Sequence, residues 1–336
     1  MKTIKWGILG TGYIANLFAE AMIAVDPAEH EKSAVCATSL EKAQLFCKQH
    51  GFNSPYSDFD AMLKDTKPNI VYIAVPNLLH YQFVMKALER GSHVLCEKPM
   101  ADNAKQLREM LDKAKEKDLF LMEGMWTRCF PAVRKIREWL REGKIGKIKA
   151  VRADFGLKAV EGWQGWKASA AHGGGAVRDV GIYTIAWAFL AYPGEVPRAI
   201  NSVYRIKDGA DFHSELLFRY SGDRTAFLTG SFDMVTDHTV SIYGDQGVIT
   251  AGPKHWCPKR AEIFKYHPAN EFQRKLTERY EDDYPFNGMQ YEITHAGDCI
   301  RTGKKESELF TAEESLGITR IIDSLRREWG VRYPSD

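Results

Sequence analysis

The sequence has no apolar run of the ~20 residues that a helix needs to cross a bilayer. Its longest nearly apolar stretch, IYTIAWAFLAY from Ile182 to Tyr192, falls well short. The opening MKTIKWGILG breaks its apolar segment with Lys5 and has no small-residue cleavage site, so no secretory leader is expected and the cytoplasm is the expected location. Cysteine is scarce: six residues, at 36, 47, 96, 129, 257 and 299, with no Cys-x-x-Cys pair. That excludes a dithiol redox motif, and a chain of this length needs no disulfide framework. No group of His, Cys and carboxylates has metal-ligand spacing, so no metal is expected. Charge of one sign is also missing. Forty-six basic residues face 44 acidic ones, for a net +2, and no like-charge block is long enough to suggest a nucleic-acid partner.

What is present is an ordinary globular composition, 44% hydrophobic and 27% charged, over 336 residues. That length predicts two domains. In the first third, β-rich runs (TIKWGILG, SAVCATS, NIVYIAVP, SHVLCE, LFLMEG) alternate with helical patterns (YIANLFAEAMIAV, LEKAQLFCKQHG, YQFVMKALERG, NAKQLREMLDKAKEKD). This rhythm predicts a parallel sheet with helices on both faces, an α/β Rossmann domain over residues 1–123. Beyond Gly124 it changes. Two helical stretches, 132–143 and 176–192, accompany strands at 147–156, 199–206, 214–221, 225–233, 239–250 and 260–267, and a helix over 311–330 closes the chain. Residues 124–336 are therefore expected to form an α+β domain built on a large, mostly antiparallel open sheet.

GILGTGYIA places Gly10, Gly12 and Ala15, with Tyr13 and Ile14 between the last two, in a Gly-x-Gly-x-x-Ala spacing between the first strand and first helix. Gly10 permits a tight turn, Gly12 lets a pyrophosphate approach the backbone, and Ala15 allows close helix packing. After the second strand, where NAD enzymes usually carry an acid, the chain reads Thr38, Ser39 and, further on, Lys42. Hydroxyls and a lysine suit a 2′-phosphate, so NADP is favoured over NAD; Glu41 keeps NAD open.

Two strand ends, AVPNLLH and CEKPM, run into prolines, at Pro76 and Pro99. A turn at Pro99 would aim Lys98, beside Glu97, into the crevice beyond the carboxyl ends of the strands. In GGGAVRDVGIY the glycine run Gly173–Gly175 precedes a predicted helix on which Asp179 and Tyr183, four residues apart, share a face.

GILGTGYIA, VPNLLHYQFVMKALERGSHVLCEKP and GGGAVRDVGIY together resemble the Gfo/Idh/MocA oxidoreductases over essentially the whole chain. MEGMWTRCFPAV, WCP at 256–258, NGMQYE and WGVRYP are similar to segments of the dimeric dihydrodiol dehydrogenase branch. The resemblance implies a catalytic pair of Lys98 and Tyr183, with Asp179 orienting the site. A tyrosine near an ammonium and a nicotinamide cation is favoured as phenolate, so Tyr183 is read as proton acceptor and Lys98 as the group that tunes it; the reversed assignment stays open. The resemblance further implies Asn77 and His80 at the nicotinamide half of the cofactor, Trp166 and Lys167 near it, and Trp126, Arg128, Phe155, Trp256 and Phe286 at an apolar substrate pocket. It implies a sugar, polyol or cyclic trans-diol substrate and a homodimer formed through the C-terminal sheet. The alternatives are a reductase of a non-sugar carbonyl in a neighbouring branch and a non-catalytic NADP-binding sensor.

Overall fold

The computed structural model describes residues 3–159 and 165–336, so the centre of the loop 158–172 lies outside the described residues. Two compact units divide the chain. Met1–Trp126, Tyr284–Leu316 and Ser335 make the first; Thr127–Asp283, Gly317–Pro334 and Asp336 make the second. Among the described residues no helix is long and apolar enough to cross a membrane.

In the first unit, β1 (Ile4–Leu9), β2 (His30–Cys36), β3 (Ser54–Tyr56), β4 (Ile70–Ile73), β5 (His93–Glu97) and β6 (Leu121–Gly124) form one parallel sheet in the order β3-β2-β1-β4-β5-β6. Helices α1 (Tyr13–Ala21), α2 (Leu40–His50), α3 (Phe59–Thr66), α4 (His80–Glu89) and α5 (Ala104–Glu116) connect the strands. The strands are buried almost throughout because both faces are covered. Val71 and Ile73 of β4 join a core with Phe59, Met62, Val84, Leu88 and Leu107, and the intervening Tyr72 stacks on Phe18 of α1 at 3.7 Å. Strand order reverses between β1 and β4, which opens a crevice at their carboxyl ends.

The second unit holds β7 (Ile148–Gly156), β8 (Ala199–Lys207), β9 (Ala210–Arg219), β10 (Thr225–Ser231), β11 (Val240–Gly244), β12 (Gly247–Ala251), β13 (Arg260–His267) and β14 (Asn270–Glu281) in one sheet. Its order is β14-β13-β12-β11-β7-β10-β9-β8, antiparallel except for the β7–β10 pair. Alternation along these strands buries Val151, Leu216, Phe218, Leu228, Ile242, Ile249 and Ile263 on one face. Helices α6 (Pro131–Arg141) and α7 (Ile182–Ala191) pack on the sheet, and α7, buried at every position, lies against β7, β10 and β11.

Several elements differ from the sequence reading. A strand of three residues (β3) and an eight-residue helix capped by Asp58 (α3) were too short to register as periodic patterns. β14, NEFQRKLTERYE, is largely exposed and charged, which hides its alternation. The helix Gln290–Arg301 also went unread. The single helix expected over 176–192 is a π-helical turn, Val177–Gly181, leading into α7.

Candidate active site

Gly10 follows β1 with φ +108, and a Cβ there would stand 2.3 Å from the Ala74 carbonyl oxygen beyond β4. Only glycine fits this turn. Gly12 is the N-cap of α1 and offers no side-chain cap, and a Cβ added to it would meet nothing within 4 Å among the described residues. The first turn of α1 contains no acid, Ala15 is fully buried, Ile14 is partly buried and Tyr13 is 75% exposed. An uncapped helix start with open space before it suits a phosphate group. At the end of β2, the Ser39 hydroxyl accepts the Lys42 amide at 3.3 Å and the Lys42 ammonium reaches the Thr38 hydroxyl at 3.4 Å, both at the surface. The fold thus gathers two hydroxyls and an ammonium at the predicted ribose position.

Beyond β4, Pro76 is exposed and Asn77 opens a 3-10 turn that leads into α4. The His80 ring is fully buried, with Nδ1 2.9 Å from the Pro99 carbonyl oxygen and Nε2 2.9 Å from that of Val75. One imidazole therefore spans the loop after β4 and the turn after β5. In that turn the Lys98–Pro99 bond is cis and Lys98 is partly buried. Glu97 accepts the Tyr72 hydroxyl at 2.5 Å and the Lys98 amide at 3.3 Å. Burial raises the Glu97 carboxyl above its usual range, while Tyr72 and Lys98 pull it down. Glu292, fully buried on the Gln290–Arg301 helix, has no hydrogen-bond partner for either oxygen among the described residues. Burial and then the Glu97 charge push its acid well above the ordinary value, which favours the neutral form. Trp126 and Phe286 also belong to this unit; Phe286 is 53% exposed with φ 57, and Asn287 next to it donates to the Leu17 carbonyl at 2.9 Å.

The second unit gathers the remaining candidates. Asp179 lies in the π-helical turn and its carboxylate is 3.5 Å from the Lys167 ammonium. That ammonium lies 5.8 Å from the centre of the Trp166 ring, which is 39% exposed. Tyr183, 8% exposed in the first turn of α7, has its ring 5.7 Å from that of Phe155 at the end of β7. Phe155 stacks flat on Trp256, and His238 meets both rings edge-on. Because Asp179 precedes α7 within a π turn, the α-helical spacing argued from sequence does not describe the pair. Arg128 is buried and donates to the Ala186 carbonyl of α7 at 2.7 Å, a contact that supports the helix bearing Tyr183.

Sequence reasoning missed Tyr72, Glu292, His238 and His255. His255 is fully buried: Trp187 donates to its Nδ1 at 2.9 Å, and Nε2 lies 3.0 Å from the Asp154 carbonyl oxygen. Burial lowers its pKa to about 4, so the ring is neutral and donates through Nε2. None of these has a local motif, and each is defined by its tertiary partners. His295, Cys299 and Glu308 bring three donor atoms within 4.8 Å, but the Lys304 ammonium already pairs with Glu308 at 2.9 Å and burial pushes the Cys299 thiol up to about 12.

Comparison with known proteins places this geometry in context. Residues 4–125 match the family described as "Oxidoreductase family, NAD-binding Rossmann fold", and residues 133–250 match the Gfo/Idh/MocA C-terminal domain. The chain is 33% identical to trans-1,2-dihydrobenzene-1,2-diol dehydrogenase of Sus scrofa and 32% identical to that of Homo sapiens, in each case over 99% of both chains. Among solved structures, the aldose-aldose oxidoreductase of Caulobacter crescentus superposes with a TM-score of 0.84 over 97% of both chains at 23% identity, a likeness of fold.

Proposed function

The chain belongs to the Gfo/Idh/MocA oxidoreductase family, and from that premise we propose that it transfers a hydride reversibly between NADP and a secondary alcohol or lactol of a sugar, polyol or cyclic trans-diol. The observation that carries the substrate class is the Phe155–Trp256 stack beside Tyr183. Flat aromatic walls suit the apolar face of a ring, and a phenol at their edge suits its hydroxyl. The relatives named for a cyclic diol agree with this assignment.

The dinucleotide is assigned to residues 1–123, and substrate binding and dimerisation to 124–336. Gly10, Gly12, Tyr13, Ile14 and Ala15 form the phosphate turn; Thr38, Ser39 and Lys42 favour a 2′-phosphate and hence NADP. Pro76, Asn77, Glu97 and Lys98 border the nicotinamide half, where His80 holds two loops in register, and Trp166 and Lys167 are placed near the cofactor. When bound, the nicotinamide supplies the hydride acceptor. Tyr183 takes the hydroxyl proton as the carbinol hydrogen leaves with its electron pair, leaving a carbonyl. Lys98 hydrogen-bonds the substrate oxygen and favours the phenolate, and Asp179, paired with Lys167, orients the site. Phe155, Trp256, Trp126, Phe286 and Arg128 are assigned to substrate binding.

The homodimer assignment rests on apolar side chains exposed on one face of the second sheet. Strand register places Val203, Phe227, Tyr243 and Leu276 on that face, with Val203 68% and Phe227 43% exposed. Such a face needs cover. The test of function is nicotinamide absorbance with NADP or NAD across aldoses, inositols, cyclic diols and aliphatic secondary alcohols. NADPH formation with a cyclic diol or a pentose supports the reading; cofactor binding without turnover of any panel member contradicts it.

A further inference from the structure

The segment that carries Asp179 and leads to Tyr183 starts without a local side-chain cap. Its acceptor comes from another strand. Asp211, on β9, takes the Val177 amide on Oδ2 at 2.6 Å, and the Ala176 amide adds favourable electrostatics. The approach depends on glycine: Gly175 has φ +152, and a Cβ there would stand 2.2 Å from Asp211 Oδ1. The flanking glycines are held as well. The Tyr333 hydroxyl donates to the Gly174 carbonyl at 3.0 Å, and Arg178 donates to that of Gly173 at 3.1 Å.

Asp211 is fully buried, and among the described residues its Oδ1 has no hydrogen-bond partner. A buried carboxylate with an unsatisfied oxygen costs stability, and a fold keeps such a group where its position matters more than that cost. We propose that Asp211 is a positioning residue that caps, from a separate strand, the helical turn that sets Asp179 and Tyr183. The proposal rests on the reading in which those two residues serve the reaction.

The groups facing Asp211 define its response to pH. Arg326 approaches from the C-terminal helix Ala312–Glu328, itself paired with Asp323 at 3.2 Å and Asp336 at 2.9 Å. The Tyr333 ring lies between the guanidiniums of Arg326 and Arg178, 3.8 and 4.9 Å from its centre. Burial pushes the Asp211 acid up to about 6, against the Val177 amide, its own amide and Arg326, which lower it. The carboxylate, the stronger acceptor, therefore exists above about pH 6 and is lost below it.

The test compares Asp211→Ala and Asp211→Asn in the full chain, reading peptide-resolved hydrogen exchange over residues 175–183 and steady-state turnover. A lost cap of ordinary strength predicts exchange about 10-fold faster in Asp211→Ala, with kcat about 10-fold lower and cofactor affinity unchanged. Asp211→Asn keeps an acceptor oxygen for the Val177 amide, so its exchange over 175–183 and its kcat are expected to stay near wild type. Wild-type exchange in Asp211→Ala overturns the proposal, and so does an about 10-fold loss of kcat in Asp211→Asn, whose amide oxygen can still accept from Val177; that variant decides the matter should Asp211→Ala fail to fold. Unchanged turnover in Asp211→Ala, with Tyr183→Phe inactive, overturns the positioning role and leaves Tyr183 standing. Unchanged turnover in both defeats the reading of the site, and the proposal with it.

Discussion

The rings of Phe155 and Trp256 lie face to face, centroids 3.8 Å apart and planes 8° from parallel. The Trp256 carbonyl is fixed by the Thr127 hydroxyl at 2.6 Å, so the indole is a set wall. Trp256→Ala is expected to raise KM for a cyclic diol by about 10-fold, the scale of one lost aromatic contact, while cofactor affinity stays constant. Steady-state kinetics against both substrates checks this; a rise confined to the cofactor KM contradicts the wall assignment.

Thr38, Ser39 and Lys42 come together just after β2, the place proposed above for a 2′-phosphate. Lys42→Ala is expected to lower kcat/KM for NADP by about 10-fold with little effect on NAD, because it removes a charge-assisted contact that NAD never makes. Ser39→Asp is expected to move the preference toward NAD, since a carboxylate repels phosphate and accepts from a ribose hydroxyl. Equal losses with both cofactors would contradict the NADP assignment.

His255 gives a pH prediction with a definite sign. Its pKa falls from 6.5 to about 4 on folding, so the native ring stays neutral while the unfolded ring takes up a proton. The stability it contributes is complete above about pH 6.5 and is lost as pH falls toward 4, by about 3 kcal/mol in all. Asp211 opposes this, since its raised acid relieves an ionisation cost below about pH 6. Urea unfolding from pH 7 to 4 is expected to lose part of its acid slope in His255→Gln; an unchanged slope contradicts the neutral assignment.

Glu292 behaves in the opposite sense. Its folded acid is held well above the ordinary 4.5, so the unfolded state sheds the proton first and native stability falls as pH rises above about 4.5. Glu292→Gln removes that ionisation and is expected to gain stability over wild type progressively with rising pH, with no difference in acid. Thermal unfolding at acid and neutral pH tests it, and a uniform loss at both would mean that the carboxyl is required as such.

The parts of the molecule that sequence made legible are those with local signals. The Gly10–Ala15 turn, the buried runs of β1, β4 and β5, and the Lys98–Pro99 turn each declare themselves within a few residues, and the first sheet is parallel, as its alternation with helices predicts. Tyr183, Phe155 and Trp256 were each named from their motifs, but the stacking of the two rings was not legible, because Phe155 at the end of β7 and Trp256 in the turn between β12 and β13 meet only in the fold. The π turn at Val177–Gly181 reads as ordinary helix in one dimension; the Gly175 geometry and the Asp211 cap that accompany it are tertiary. Glu292 and His255 look like surface residues by type, and only their burial reveals that the charged form of each is disfavoured.

Tyr183→Phe tests the central claim most directly, as a change of one hydroxyl on a ring already 8% exposed against Phe155. Cofactor binding by fluorescence titration and turnover by nicotinamide absorbance are measured on the same preparation. The account predicts NADP affinity within about twofold of wild type and turnover lower by about 100-fold or more, the usual contribution of a positioned acid/base. Turnover retained at the wild-type level would contradict it and remove Tyr183 from the chemistry.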